Sequence, residues 1–315
     1  MPDLSKLTTE NRNPRTTAID ALDTRSLVAL INREDRAVIE AIHAEIDTIA
    51  AAIDLAYSRV KAGGRLIYMG AGTSGRLGVL DASECLPTFG VGEESVIGMI
   101  AGGDRALRHP VEAAEDNQMA AREDLDRIHF NSGDVICAIS SSGRTPYCIG
   151  ALEYAAEKGA ATIAIACVKG SAIGKKADVA IEAVVGPEVI TGSTRMKAGS
   201  AQKMILNMLS SGIMIKWGKV YQNWMVDVRA TNQKLIERSR QMIMAATGCD
   251  YPRATMLLEE SGEHVKTAIV MEFLGVDREG AQATLKAHDG RIHAVLSAYG
   301  KTQNGNEREE QHTDE

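Results

Sequence analysis

Asp134-Val-Ile-Cys-Ala-Ile-Ser-Ser-Ser-Gly-Arg-Thr-Pro146 passes from a short apolar run directly into three serines, a glycine, a threonine and a proline. An apolar, β-branched run of that length predicts a strand buried on both faces. Pro146 suits the first turn of a following helix. The loop between them gathers several hydroxyl donors around one point, and Gly143 lets the backbone approach a ligand. Similar runs lie at Arg65–Met69, Val96–Ile100, Ala161–Val168 and Val179–Val185, separated by helical segments or loops. This alternation predicts an α/β chain with a parallel sheet covered on both faces. Ligands of such sheets sit at the carboxyl ends of the strands.

The first run enters Gly70-Ala-Gly-Thr-Ser-Gly-Arg76, which matches the GxGxxG pattern of dinucleotide sites. Such a site also needs an acidic residue closing the second strand, roughly 20 residues on, to hold a ribose. Here the second strand closes in Ala101-Gly102-Gly103, with Asp104 beyond, and the spacing is too long. Thr73 and Ser74 instead supply hydroxyls at a helix N-terminus, where free N–H groups favour an anion. One hydroxyl-rich turn is an ordinary helix cap. Two, both ending strands of one sheet, favour a phosphate cradle.

The remaining sequence sets the organisation. Residues 1–15 are polar and read as an arm. Thr16–Ala62 reads as helical, with Val38, Ile42, Ile46, Ile49 and Ile53 three or four apart and Gly63-Gly64 ending the run. Beyond Lys197 the chain is helical: Lys197–Trp217, Arg229–Thr247, Arg253–Glu260, His264–Leu274 and Arg278–Tyr299, the last interrupted at Asp289-Gly290. The expected divisions are an arm and helices at 1–62, a sheet domain at 63–220, a helical region at 221–300 and a disordered charged tail at 301–315. A net charge of -7 and 4% aromatics leave no footprint for nucleic acid. No apolar stretch is long enough to span a membrane, and the N-terminus has no signal-peptide core. The five scattered cysteines (Cys85, Cys137, Cys148, Cys167, Cys249) form no CxxC pair and suit a reducing cytosol. No histidine has metal-like partners; His109, beside Pro110, reads as incidental.

The SSSGRTP loop, the GAGTSGR loop and Gly186-Pro-Glu-Val-Ile-Thr-Gly-Ser-Thr-Arg-Met-Lys197 together resemble the sugar isomerase (SIS) domain. Within that group the chain is similar to the N-acetylmuramic acid 6-phosphate etherase family. The similarity runs from Leu7-Thr-Thr-Glu-Asn-Arg-Asn13 through Leu80-Asp-Ala-Ser-Glu-Cys85 and Ala113-Ala-Glu-Asp-Asn117 to the C-terminal helices. The resemblance implies a three-layer αβα sandwich on a five-stranded parallel sheet, a small C-terminal helical domain, and a homodimer. It implies a cytoplasmic lyase of amino-sugar metabolism and peptidoglycan recycling that uses no metal and no other cofactor. Its reaction converts N-acetylmuramic acid 6-phosphate and water into N-acetylglucosamine 6-phosphate and D-lactate. The 6-phosphate falls to Ser140, Ser142 and Thr145, with Ser74 from the first loop.

An unactivated ether resists water, but a ring-opened sugar presents an aldehyde that acidifies the proton on C2. A base removes it, lactate leaves C3 with help from an acid, and water adds back by the reverse steps. Two proton-transfer groups are needed, each worth roughly 10²–10⁴-fold. The resemblance assigns Glu84 as donor to the departing lactate, and Glu115 is the candidate base. The sequence places Glu115 in the first turns of a helix opened by Pro110. Glu84 lies ten residues after Ser74, about 15 Å along a continuous helix. Either that helix ends early, before a Pro87–Gly92 loop, or Glu84 serves a neighbouring subunit. Glu188 and Lys197 stand equally as sugar contacts, as residues ordering the dimer partner's site, or as parts of a capped helix start. A sugar-phosphate-binding regulatory protein and an aldose–ketose isomerase are the competing readings.

Overall fold

The computed structural model describes residues 9–228 and 232–301, so the expected tail, apart from Lys301, and the first eight residues of the arm lie outside the described residues. The chain divides into two compact units, Met1–Glu84 with Gly92–Ile213, and Cys85–Val91 with Met214–Glu315.

The first unit holds five parallel strands: β1 (Leu66–Gly70), β2 (Val96–Ile100), β3 (Val135–Ser140), β4 (Ala161–Ala166) and β5 (Val179–Glu182), in the order β2-β1-β3-β4-β5. β1, β3 and β4 are buried along their whole length, as their unbroken apolar runs require. β1 lies between β2 and β3, with Met69 opposite Met99 on one side and Ala138 on the other. The order reverses between β1 and β3, so the loops leaving these two strands flank the crevice where such sheets bind ligands.

Helices α1 (Thr24–Glu34), α2 (Arg36–His43) and α3 (Ile46–Lys61) precede the sheet, with Ile49, Ala52, Ala56 and Val60 forming the buried stripe of α3. The helical segment expected from Thr16 is thus three helices, and Ile46 is exposed. α4 (Gly72–Phe89) follows β1, α5 (Asp104–Arg108) follows β2, and α6 (Gln118–Arg127) leads to β3. α7 (Pro146–Lys158) follows β3, with Pro146 in its first turn. α8 (Lys197–Lys216) follows β5. α6 and α7 cover one face, where Leu125, Tyr147 and Ala151 meet Ile67, Met69 and Ile136. On the other face Tyr68 donates from its hydroxyl to Asp81 of α4 at 3.0 Å, and Asp81 also accepts from Asn207 and Ser210 of α8. These are the three layers of an αβα sandwich.

Two local expectations are corrected. α4 continues through Pro87 to Phe89, so no loop begins at Pro87. No helix starts at Pro110: Glu115 lies in a single 3₁₀ turn, Ala114–Asp116, and α6 starts only where the Asn117 side chain accepts from Ala120 N. Ala113 stands at φ +61°, in the left-handed region, which breaks any helix arriving from Pro110.

The second unit contains α9 (Gln233–Thr247), α10 (Tyr251–Glu260), α11 (Val265–Leu274), α12 (Arg278–Ala287) and α13 (Ile292–Ala298). Their core includes Met242, Leu257, Ile269 and Val295. Asp289 and Gly290 separate α12 from α13 with positive φ, as the sequence pattern indicates.

Candidate active site

The hydroxyls of the serine loop form one cluster. Ser140 Oγ lies 2.8 Å from Thr145 Oγ1 and 3.5 Å from Ser142 Oγ. The loop is held from behind: Gly143 N donates to Ser140 O, Cys167 N to Ser141 O, and Ile173 N to Gly143 O. Gly143 has φ +67°, and a Cβ there would stand 2.4 Å from Ser171 Cβ. Only glycine fits this turn without displacing that backing. Ser142 and Thr145 are half-buried, which leaves their hydroxyls within reach of a ligand.

The first loop joins this cluster through a residue the sequence reading missed. Gln202, fully buried on α8, accepts from Ser74 Oγ at 2.8 Å and donates to Ser141 Oγ at 3.0 Å. One amide thus ties the loop after β1 to the loop after β3. A glutamine inside a Met- and Leu-rich helix carries no local signal of that role. The GxGxxG match has a packing explanation. A Cβ on Gly75 would lie 2.6 Å from Gly70 O, so the pattern lets α4 close onto the end of β1.

Glu115 is exposed and lines a cleft of about 200 Å³ with Ala71, Gly72, Arg76, Ala101, Pro110 and Glu112. The cleft therefore opens at the ends of β1 and β2. Burial pushes the Cys148 thiol up to about 12, and the charge of Glu115 adds to that rise. Cys148 itself bonds to Ile139 O of β3. His109, exposed at the end of α5, does not line the cleft.

Glu84 is elsewhere. It is exposed near the far end of an unbroken α4. The fold-back that would return it to its own serine loop does not occur.

Glu188 and Lys197 belong to a separate buried network. Both Glu188 carboxylate oxygens cap α8, accepting from Lys197 N at 3.0 Å and Ala198 N at 2.9 Å. Lys197 Nζ reaches Glu34 at 3.4 Å, and both Glu188 and Lys197 are 0% exposed. Glu34 also accepts from Asn13 and from Arg15 Nε and Nη2. The Arg15 guanidinium, more than any other partner, holds the Glu34 carboxyl down at about 2. The arm is therefore pinned from Asn13 to Thr16: Asn13 is buried, and Thr16 donates to Val189 O. Within the single chain, Glu188 serves as the side-chain cap of α8.

The fold and its two hydroxyl loops define a SIS-domain protein. Residues 48–156 match the glucokinase regulatory protein N-terminal SIS domain, and residues 118–211 match the SIS domain. An N-acetylmuramic acid 6-phosphate etherase of Lactobacillus gasseri is 54% identical over 94% of this chain and 99% of its own length. That of Photorhabdus laumondii is 51% identical over 94% and 98%. The chain belongs to the N-acetylmuramic acid 6-phosphate etherase family. A solved phosphoheptose isomerase from Francisella tularensis aligns at 20% identity over 61% of this chain and 97% of that one, with a TM-score of 0.47.

Proposed function

We propose that the chain cleaves the D-lactyl ether of N-acetylmuramic acid 6-phosphate, releasing D-lactate and N-acetylglucosamine 6-phosphate. The observation that carries this reading is the placement of Glu115 in a cleft at the crevice flanked by the hydroxyl cluster, in a chain of this family. Ser140, Ser142 and Thr145 hold the 6-phosphate, with Ser74 at the adjoining helix start. Glu115 takes the C2 proton of the ring-opened sugar. The electron pair expels lactate from C3, and Glu84 protonates the leaving oxygen. Water then adds to C3, giving its proton to Glu84, and C2 is reprotonated.

Glu84 reaches the sugar from a second copy, so the active species is a homodimer. Thr73, Leu77, Leu80 and Glu84 recur along one face of α4, and Leu80 is 50% exposed. Thr73 and Leu77 border a shallow cleft of about 420 Å³ with Lys203 and Met204 of α8. This face, partly apolar and uncovered in one copy, is the one a partner occupies. The enzyme works in the cytoplasm, in amino-sugar metabolism and peptidoglycan recycling. Among the described residues no helix is long and apolar enough to cross a membrane, and no cluster of His, Cys, Asp and Glu is arranged to hold a metal.

The test is D-lactate release from N-acetylmuramic acid 6-phosphate in deuterated solvent. Glu115→Gln loses both lactate release and deuterium incorporation at C2. Glu84→Gln loses lactate release by several orders of magnitude and retains C2 exchange, because exchange needs only the base. Mixing the two inactive variants restores up to about a quarter of the activity if each site draws on both copies. A wild-type protein that binds the sugar phosphate and releases no lactate would instead be a sensor, the reading favoured by the match to glucokinase regulatory protein.

A further inference from the structure

The proposed substrate carries two anions. The hydroxyl cluster serves the phosphate, which leaves the carboxylate of the lactyl group. That group hangs from C3, the carbon next to the C2 whose proton Glu115 removes, so it enters the cleft that Glu115 lines. Glu112 and Glu115 both face this cleft, and among the described residues lining it Arg76 is the one cation. Two carboxylates without a cation would repel the group that has to enter, a penalty of several-fold to many-fold in affinity.

Arg76 is built to answer that charge. It sits in the first turns of α4, two residues after Ser74. Its Nε donates to Leu107 O at 2.9 Å and its Nη2 to Ala106 O at 2.6 Å. Both acceptors are neutral carbonyls in the last turn of α5, so these bonds fix the plane of the guanidinium without neutralising it. Nη1, with both of its hydrogens, is not used in either bond. A planar cation held in place in this way meets a carboxylate without first losing side-chain freedom.

We infer that Arg76 is the specificity-determining residue that binds the lactyl carboxylate, an inference that rests on the etherase reading of the same site. Arg76 thereby separates substrate from product. N-acetylglucosamine 6-phosphate lacks the carboxylate and keeps only the phosphate contacts.

The experiment compares kcat/KM for N-acetylmuramic acid 6-phosphate and for its lactyl methyl ester, in wild type, Arg76→Gln and Arg76→Lys. Inhibition by N-acetylglucosamine 6-phosphate is measured in parallel. Wild type is expected to prefer the acid over the ester by about 10–100-fold, the worth of a hydrogen bond to a charged partner. In Arg76→Gln that preference falls below about 3-fold, while inhibition by N-acetylglucosamine 6-phosphate changes by less than about 3-fold. Arg76→Lys, which keeps the charge and loses the fork, retains an intermediate preference. If Arg76 merely holds α5, then acid, ester and inhibitor weaken together and the acid preference survives; that result overturns the inference. So does a wild type that does not distinguish acid from ester. Failure of the etherase reading itself is recognised separately, as wild-type protein that releases neither D-lactate from the acid nor methyl D-lactate from its ester.

Discussion

The serine loop and the segment from Gly186 to Lys197 contain much the same chemistry, hydroxyls, glycines and charged groups next to a helix start, yet the fold uses them in opposite ways. In the loop after β3, the hydroxyls of Ser140, Ser142 and Thr145 are bonded to one another and Ser142 and Thr145 remain half-exposed. In the later segment, Glu188 and Lys197 are sealed from solvent and committed to protein partners. The first region keeps its polar groups bonded to one another and partly open to solvent. The second has already spent its polar groups on the start of α8 and on the arm. Residue type at a strand end is therefore a poor guide to function until the partners are known.

The largest test of this contrast is on the buried side. Glu34→Gln leaves Lys197 buried without its counter-charge and is expected to cost about 3–5 kcal/mol of stability at neutral pH, read from denaturant unfolding. A loss within experimental error would show that the network is incidental. The same carboxyl predicts a pH dependence. Its folded pKa, about 2, lies below the ordinary 4.5, so its contribution is complete above 4.5 and is lost as pH falls toward 2. Stability of the wild type should fall across that window more steeply than that of Glu34→Gln. Equal slopes would remove Glu34 from the acid limb.

The smaller effect belongs to the open side. Ser142→Ala is expected to raise KM by about 10-fold with kcat nearly unchanged, because phosphate is held alike in the ground and transition states. Unfolding of this variant should match wild type. A normal KM would remove the serine loop from the site and collapse the distinction between the two regions.

The strands were legible in the sequence because each is a short β-branched run with glycine, serine or Lys-Gly after four of them, and in a doubly covered parallel sheet burial makes the run continuous. The hydroxyl loops were legible for the same reason, since they are local. What escaped depended on distant partners. Gln202 takes its meaning from Ser74 and Ser141, both on other elements. The burial of the arm depends on Glu34 and Val189, which no periodicity links to Asn13 or Thr16. The Pro110 helix failed because Ala113 adopts a left-handed conformation that residue type does not announce, and the turn it sets carries Glu115. Backbone strain of that kind gathers where side chains must be aimed.

The cysteines add a practical consequence. Cys137, Cys148 and Cys167 are buried, and burial raises all three thiols far above neutral pH, the last two to about 12. Cys85 is buried as well, and Cys249 alone is partly open to solvent. Thiolate and access are both needed for alkylation or oxidation. A maleimide dye should therefore mark the folded protein at a single position just beyond α9, leaving the sheet unlabelled and giving a fluorescent handle without any engineered cysteine.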